Sequence, residues 1–437
     1  MSTSALPPKE DDITSILPLL KRLWPDPAKE SVTAEEIALA ISHIFTNSLS
    51  PVQTGALLTC LHFTGWDRRA DVLSKCSQVM CEAAAQVDRQ RIRDVLSSKS
   101  KESIEGEYHG GLCDIVGTGG DSHNTFNVST TSSIVASSFL RIAKHGNRAS
   151  TSNSGSADLL KAMSPLPPIL EAVTPTTLPQ IYAKTNYAFL FAPVFHPGMR
   201  YVAPIRKELG WRTIFNLLGP LSNPLDAISA DAPSLISREA EPSLLEARLI
   251  GVARRDIGHT FADALRKNGN RKALVVCGDE EMDEISPAGK THCWMLVDKS
   301  TGGESSDDED IEDIEIANFT LEPSDFGLSN HQLSEVSPGK SPKDNALILE
   351  NLLAGKLPDD HPIMTFVLLN TAALLVVSGL CETDLSAHCE GEVVTERGPG
   401  GGRWKEGVRR ARWAISSGKA KDMWESFVQV TNEVGSA

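Results

Sequence analysis

Cys113-Asp114-Ile115-Val116-Gly117-Thr118-Gly119-Gly120-Asp121 is a short, mainly apolar run that stops at a glycine-rich loop. Asn124-Thr125-Phe126-Asn127-Val128-Ser129-Thr130 follows and leads into a helical stretch over 129–140. A strand that ends in glycines lets the backbone approach a ligand, because no Cβ intervenes. Free amides at the start of the next helix favour a phosphate, and Ser129, Thr130 and Thr131 add hydroxyl donors. No Gly-Lys-Ser/Thr follows, so this is not a Walker loop. A tight turn with a polar cap would explain three glycines alone. Asp121, Asn127 and the hydroxyl cluster weigh towards a binding loop.

Working outward, similar short apolar runs open at Ile142-Ala143, at 187–191 and at 274–277, with helical stretches between them. Such alternation predicts a mainly parallel, helix-covered sheet. The first hundred residues have a different texture. Thr33 and Glu36 form a capping box, and Ile37, Ile41, Ile44 and Phe45 follow at helical spacing. Ser50-Pro51 starts a second helix, with Pro51 at its first position. Asp67 is expected to cap a third, which carries Leu73, Cys76 and Met80 inward. The expected class is therefore α/β, in two parts. A small N-terminal helical domain covers 1–108, with a returning helical segment near 197–220. A larger α/β domain with a central, mainly parallel sheet covers 109–437. Insertions are expected near 226–246, 300–315 and 390–403.

The bulk numbers suit that plan. Of 437 residues, 41% are hydrophobic and 23% charged, as in soluble globular proteins. The 8 cysteines form no Cys-x-x-Cys pair, which argues for reduced thiols rather than zinc or disulfides. The N-terminus lacks a basic segment followed by an apolar run, so no secretory signal is expected and a cytoplasmic location is. Residues 363–381 carry no charge, but Thr365, Asn370, Thr371 and Ser378 interrupt them, and a buried helix is expected rather than a membrane span. Eight carboxylates fall within 304–315, which reads as a solvated loop. A net charge of −15 makes a poor nucleic-acid binder.

Three further segments bear on chemistry. Lys144-His145-Gly146-Asn147-Arg148 follows a strand and runs on to Ser150, Ser152 and Ser154-Gly155-Ser156-Ala157-Asp158. Lys144 at a strand end is where α/β proteins bind ligands, and the serines and glycines suit a second phosphate. Met282-Asp283-Glu284-Ile285 pairs two carboxylates, which suits Mg²⁺ when phosphates are near and a solvated turn when they are not. His196-Pro197-Gly198-Met199-Arg200, continuing through Arg206 and Arg212, reads as a surface helix with a basic face or as a carboxylate reader.

Taken in order, these segments, with Asn216-Leu217-Leu218-Gly219-Pro220-Leu221-Ser222-Asn223-Pro224, resemble the anthranilate phosphoribosyltransferase family. The likeness covers roughly 33–418, interrupted by the insertions. It implies the nucleoside phosphorylase/phosphoribosyltransferase type of fold, a homodimer formed through the helical part and an active site between the domains. It implies that phosphoribosyl pyrophosphate is held by Gly117, Gly120, Asp121, Thr125, Asn127, Val128, Ser129, Thr130, Lys144, Ser152 and Ser156. It further implies that Mg²⁺ is held by Ser129, Asp283 and Glu284, and anthranilate by Gly117, Asn147 and Arg206. Neither a nucleic-acid nor a membrane partner is expected. Ser122-His123, Thr151, Asn153 and Ser164-Pro165-Leu166-Pro167-Pro168 depart from the family's usual pattern.

The implied reaction joins an amine to the anomeric carbon and expels pyrophosphate. Positive charge should build on the ribose as that bond breaks. Lys144 is expected to act as an electrostatic stabiliser, and no general base is assigned. His145 is as well explained by packing as by proton transfer. A pyrimidine nucleoside phosphorylase would need a different lysine-histidine-serine loop and no Asp283-Glu284 pair. A non-catalytic nucleic-acid binder is disfavoured by that pair and by the −15 charge.

Overall fold

The computed structural model describes residues 13–24, 32–99, 104–149, 154–229, 239–299, 313–337, 341–386 and 389–436. Two compact units emerge. The first comprises Met1–Val87, Ala192–Ser243 and Asp263–Gly269, and the second the remainder.

Local sequence sets the helices of the first unit. Thr33 accepts from the amide of Glu36 and Glu36 reaches back, so the capping box starts the helix Ala34–Phe45. Ser50 caps Pro51–Thr64, which ends at Gly65 in a left-handed conformation (φ 78°). The third helix, Ala70–Glu82, buries Leu73, Cys76 and Met80 as expected. Asp67 does not cap it. Asp67 sits in the 3₁₀ turn Trp66–Arg68 and bonds His62 instead, at 3.0 Å. The helix Met199–Leu209 packs on Ala34–Phe45 and Pro51–Thr64. The helix Arg89–Ser98 belongs to the second unit, not to a helical domain ending at 108, because it packs against Leu178–Lys184.

Among the described residues, the second unit is built on seven strands: β1 (Leu112–Gly117), β2 (Arg141–Gly146), β3 (Tyr187–Phe191), β4 (Leu245–Gly251), β5 (Lys272–Gly278), β6 (Thr291–Asp298) and β7 (Ile314–Leu321). Their order is β3-β2-β1-β4-β5-β6-β7. The first five run parallel, and β6 and β7 add an antiparallel edge. The chain thus moves one way from β1 to β3, then restarts at β4 on the other side of β1. That reversal creates a switch point at the carboxyl ends of β1 and β4, where open α/β sheets bind ligands. The uncharged stretch forms the helix Pro362–Val377, with every residue from Ile363 on buried.

The expected insertions overreach. Leu245 and Glu246 belong to β4, and Glu246 accepts the amides of His109 and Gly111 at 2.8 and 2.7 Å. At the acidic loop, Ile314 is buried and opposes Asp298, and Glu315 opposes Val297. Deleting 303–315 would therefore cut into β7. Deleting 303–312 should not, because 300–302 would remain to close the β6–β7 hairpin with a common loop length. Residues 300–312 lie outside the described residues; read from their run of like charges as a loop, they should tolerate the loss of 303–312 with activity within about twofold of the full chain, since loop length costs little. A steady-state assay beside thermal unfolding checks this, and lost activity with intact unfolding would give the acidic run a role.

Candidate active site

The register of β1 against β4 pairs Gly117 with Gly251 at the switch point. Asp283 lies directly over both. A Cβ on Gly251 would stand 1.5 Å from the Asp283 carbonyl oxygen, and one on Gly117 would stand 2.2 Å from its Oδ2. These glycines exist to admit the Asp283 loop. Beyond β1 the chain turns through Gly119 and Gly120 (φ 68° and 79°), a conformation costly for other residues. That turn aims the Gly119 amide at Asp283 Oδ2, 2.6 Å away. Thr118 Oγ1 accepts from the Ala253 amide at 3.1 Å, tying the loop to the chain after β4.

Asp121, Asp283 and Glu284 converge, with carboxylate oxygens within 4.8 Å of one another. Asp121 was expected at the phosphoribosyl pyrophosphate site; its carboxylate joins the pair expected to hold metal. Burial raises the pKa of Asp283 to about 7, helped by the charge of Asp121. Burial and then the Asp283 and Asp121 charges raise Glu284 well above the ordinary carboxylate range. Glu284 Oε2 is buried without a hydrogen-bond partner. An all-oxygen, mutually repelling set with an unsatisfied oxygen fits a hard divalent cation.

Lys144 is buried in β2, 1% exposed, and donates to the His145 carbonyl at 3.2 Å. Burial lowers its pKa, and Asp114, Glu284 and Asp283 oppose that shift. The two phosphate-type loops are braced together. Asn127 Nδ2 donates to the Ser154 carbonyl at 2.9 Å, and Ser154 Oγ donates back to Asn127 Oδ1 at 3.1 Å. Thr130 Oγ1 donates to Ser156 Oγ at 2.8 Å. With Asn127 so engaged, no side chain caps the helix Val128–Ala136. Its first turn, Val128 to Thr130, offers amides of the kind that take phosphate. The helix stops at Ala136, short of the 140 expected.

Gly120 and Asn147 are exposed, and Gly117, Thr125 and Ser129 are half-buried. Ser152 lies outside the described residues. Arg206 is in the other unit, half-buried on Met199–Leu209, with its guanidinium 5.8 Å from the Phe215 ring centroid. Burial and then Arg212 lower its pKa, with no acid acting against them.

Sequence reading missed two residues. Gly251 closes an apolar run as Gly117 does, but Arg248 breaks that run and an expected insertion overlapped it. His123 Nε2 donates to the Glu280 carbonyl at 2.7 Å and pins the glycine loop to the carboxylate loop. Nothing in one sequence signals that contact.

The carboxylate shifts carry a pH consequence. The folded state holds protons on Asp283 and Glu284 that the unfolded chain releases near pH 4. The Asp283 contribution to stability is present below about pH 4 and lost as pH rises through about 7, and that of Glu284 is likewise lost as pH rises through its own raised value. A cation needs the deprotonated forms. Mg²⁺ should therefore raise the melting temperature more at pH 8 than at pH 6, as thermal unfolding with and without Mg²⁺ would read. Equal increments would contradict the shifts.

Residues 109–421 match the glycosyl transferase family a/b domain, and residues 17–84 match the helical bundle domain of the same family. The fold and site thus define a glycosyl transferase of two-part build. The anthranilate phosphoribosyltransferase of Schizosaccharomyces pombe is 37% identical over 93% of this chain and 95% of its own length. The Saccharomyces cerevisiae enzyme is 34% identical over 86% of this chain and 85% of its own. Its solved structure in complex with phosphoribosyl pyrophosphate and Mg superposes with a TM-score of 0.71 at 30% identity, covering 95% of this chain and 98% of that one. Another, with 4-fluoroanthranilate, gives 0.70 at 29% identity, covering 95% and 97%. The chain belongs to the anthranilate phosphoribosyltransferase family.

Proposed function

We propose that this protein transfers the 5-phosphoribosyl group from phosphoribosyl pyrophosphate to the amine of anthranilate, in L-tryptophan biosynthesis. The products are N-(5-phosphoribosyl)anthranilate and pyrophosphate. The observation that carries the reading is the Asp121–Asp283–Glu284 cluster above the paired glycines at the switch point. Relatives solved with Mg and phosphoribosyl pyrophosphate support it.

Asp121, Asp283 and Glu284, with Ser129, would hold Mg²⁺, which supplies charge neutralisation on the departing pyrophosphate when bound. Gly117, Gly120, Thr125 and the first turn Val128 to Thr130 cradle the phosphates with backbone and hydroxyl donors. Asn127 and Ser156 hold the two loops in register, and Ser152, outside the described residues, is proposed to bind phosphoribosyl pyrophosphate. Lys144 is a fixed positive charge in a desolvated setting, where it acts more strongly than in water. Arg206 is the candidate reader of the anthranilate carboxylate, and Asn147 and Gly117 are further candidate anthranilate contacts by family likeness. The amine brings its own lone pair, so catalysis is positioning and electrostatics, with no general base.

The assembly is a cytoplasmic homodimer. Val52 and Phe63 on Pro51–Thr64, 81% and 66% exposed, and Trp211 give the helical unit the apolar surface such a partner would cover. No helix of the described residues is long and apolar enough to cross a membrane.

Product analysis separates this reading from nucleoside phosphorolysis. With anthranilate, phosphoribosyl pyrophosphate and Mg²⁺, mass spectrometry should find phosphoribosylanthranilate. Turnover of a pyrimidine nucleoside with inorganic phosphate, and none of anthranilate, would overturn it.

A further inference from the structure

We infer that Asn370 is a positioning residue for the cation-binding carboxylates. This rests on the proposed Mg²⁺ site. Asn370 lies in Pro362–Val377, a helix of mostly apolar residues, and is 1% exposed. A carboxamide in such a place is costly unless its hydrogen bonds are made. Its Oδ1 accepts the Ile285 amide at 3.0 Å, and its Nδ2 donates to the Ile285 carbonyl at 3.2 Å and to the Phe366 carbonyl at 3.0 Å.

The Ile285 amide belongs to the peptide bond that Glu284 begins. Two bonds to one residue fix the peptide planes on both sides of Ile285, much as a neighbouring strand would. Asp283 already has its own restraints, the Gly119 amide and the glycine pair below it. Asn370 provides the counterpart for Glu284. Ile285 itself is buried with no room to drift. Three carboxylates crowded within 4.8 Å repel one another, and a loop that could relax would spread them. Asn370 prevents that spreading and keeps the cluster shaped for a cation. Supporting groups of this kind typically change metal affinity by roughly 10–100-fold when removed.

Asn370→Leu tests this, because a leucine of similar size suits the apolar helix but cannot hold Ile285. The measurement is calorimetric binding of phosphoribosyl pyrophosphate without anthranilate, across a range of Mg²⁺ concentrations. The half-effective Mg²⁺ concentration should rise at least tenfold, with binding recovered at high Mg²⁺. If Asn370→Leu does not fold, Asn370→Ser reads the same quantity, since a hydroxyl cannot bridge both Ile285 groups. An unchanged half-effective concentration would overturn the role of Asn370 and leave the metal reading standing. A uniform loss of affinity at every Mg²⁺ concentration would also overturn it, as general damage. A wild-type protein whose binding ignored Mg²⁺ would overturn the metal reading and this inference together.

Discussion

Gly251→Ala should reduce kcat/KM by more than a hundredfold. The new methyl would lie 1.5 Å from a backbone oxygen, that of Asp283, and no side-chain rotation relieves such a contact. Either β4 or the Asp283 loop must move. Overpacking commonly costs about 1–3 kcal/mol, and a clash with backbone belongs at or above the top of that range. At about 1.4 kcal/mol per factor of ten, that is a hundredfold or more. If the loop is what moves, Mg²⁺ dependence should weaken while the melting temperature falls little. If β4 moves, both fail together. Gly117→Ala meets the Asp283 side chain rather than its backbone and should be milder. Kinetics close to wild type in Gly251→Ala would mean that Asp283 does not sit where the structure places it.

Arg206→Ala should raise KM for anthranilate by tenfold or more and leave KM for phosphoribosyl pyrophosphate far less changed. An enzyme that distinguishes anthranilate from aniline must read its carboxylate, and a planar guanidinium suits that group better than an ammonium. Arg206 is desolvated, lies 5.8 Å from the Phe215 ring centroid, and has only the like-charged Arg212 acting with burial on its titration. Such a cation is ready for an anion. Truncating one member of a buried, hydrogen-bonded charge pair costs about 2–5 kcal/mol. Steady-state kinetics with each substrate varied in turn provides the readout. Equal loss for both substrates would move Arg206 from recognition to structure, and no loss would return it to the surface.

The sequence was most legible where local rules act alone. The capping box at Thr33, the cap at Ser50 and the run 187–191 became the elements they announced, because capping and period are local properties. The parallel strands β1, β2, β3 and β5 were visible as buried runs. β4 was not, since Arg248 interrupts its apolar pattern. The edge strand β7 and its neighbour β6 mix polar and apolar residues because this end of the sheet is half exposed. Asn370 was visible only as a polar residue in an apolar stretch, where it argued against a membrane span. Its partner lies 85 positions away, and a single sequence cannot show that distance closing. Asp121 gained its place among the carboxylates from the left-handed turn at Gly119 and Gly120, whose direction is a three-dimensional fact.

The most direct test of the account is the Mg²⁺ dependence of kcat/KM for Asp283→Asn and Glu284→Gln, followed by the loss of anthranilate fluorescence. Both substitutions keep size and remove charge, so the fold should survive and the cation site should not. The wild-type protein should turn over anthranilate only with phosphoribosyl pyrophosphate and Mg²⁺, and each variant should need far more Mg²⁺ for less activity. If both variants follow the wild-type Mg²⁺ curve, the carboxylate cluster at the switch point is not the metal site.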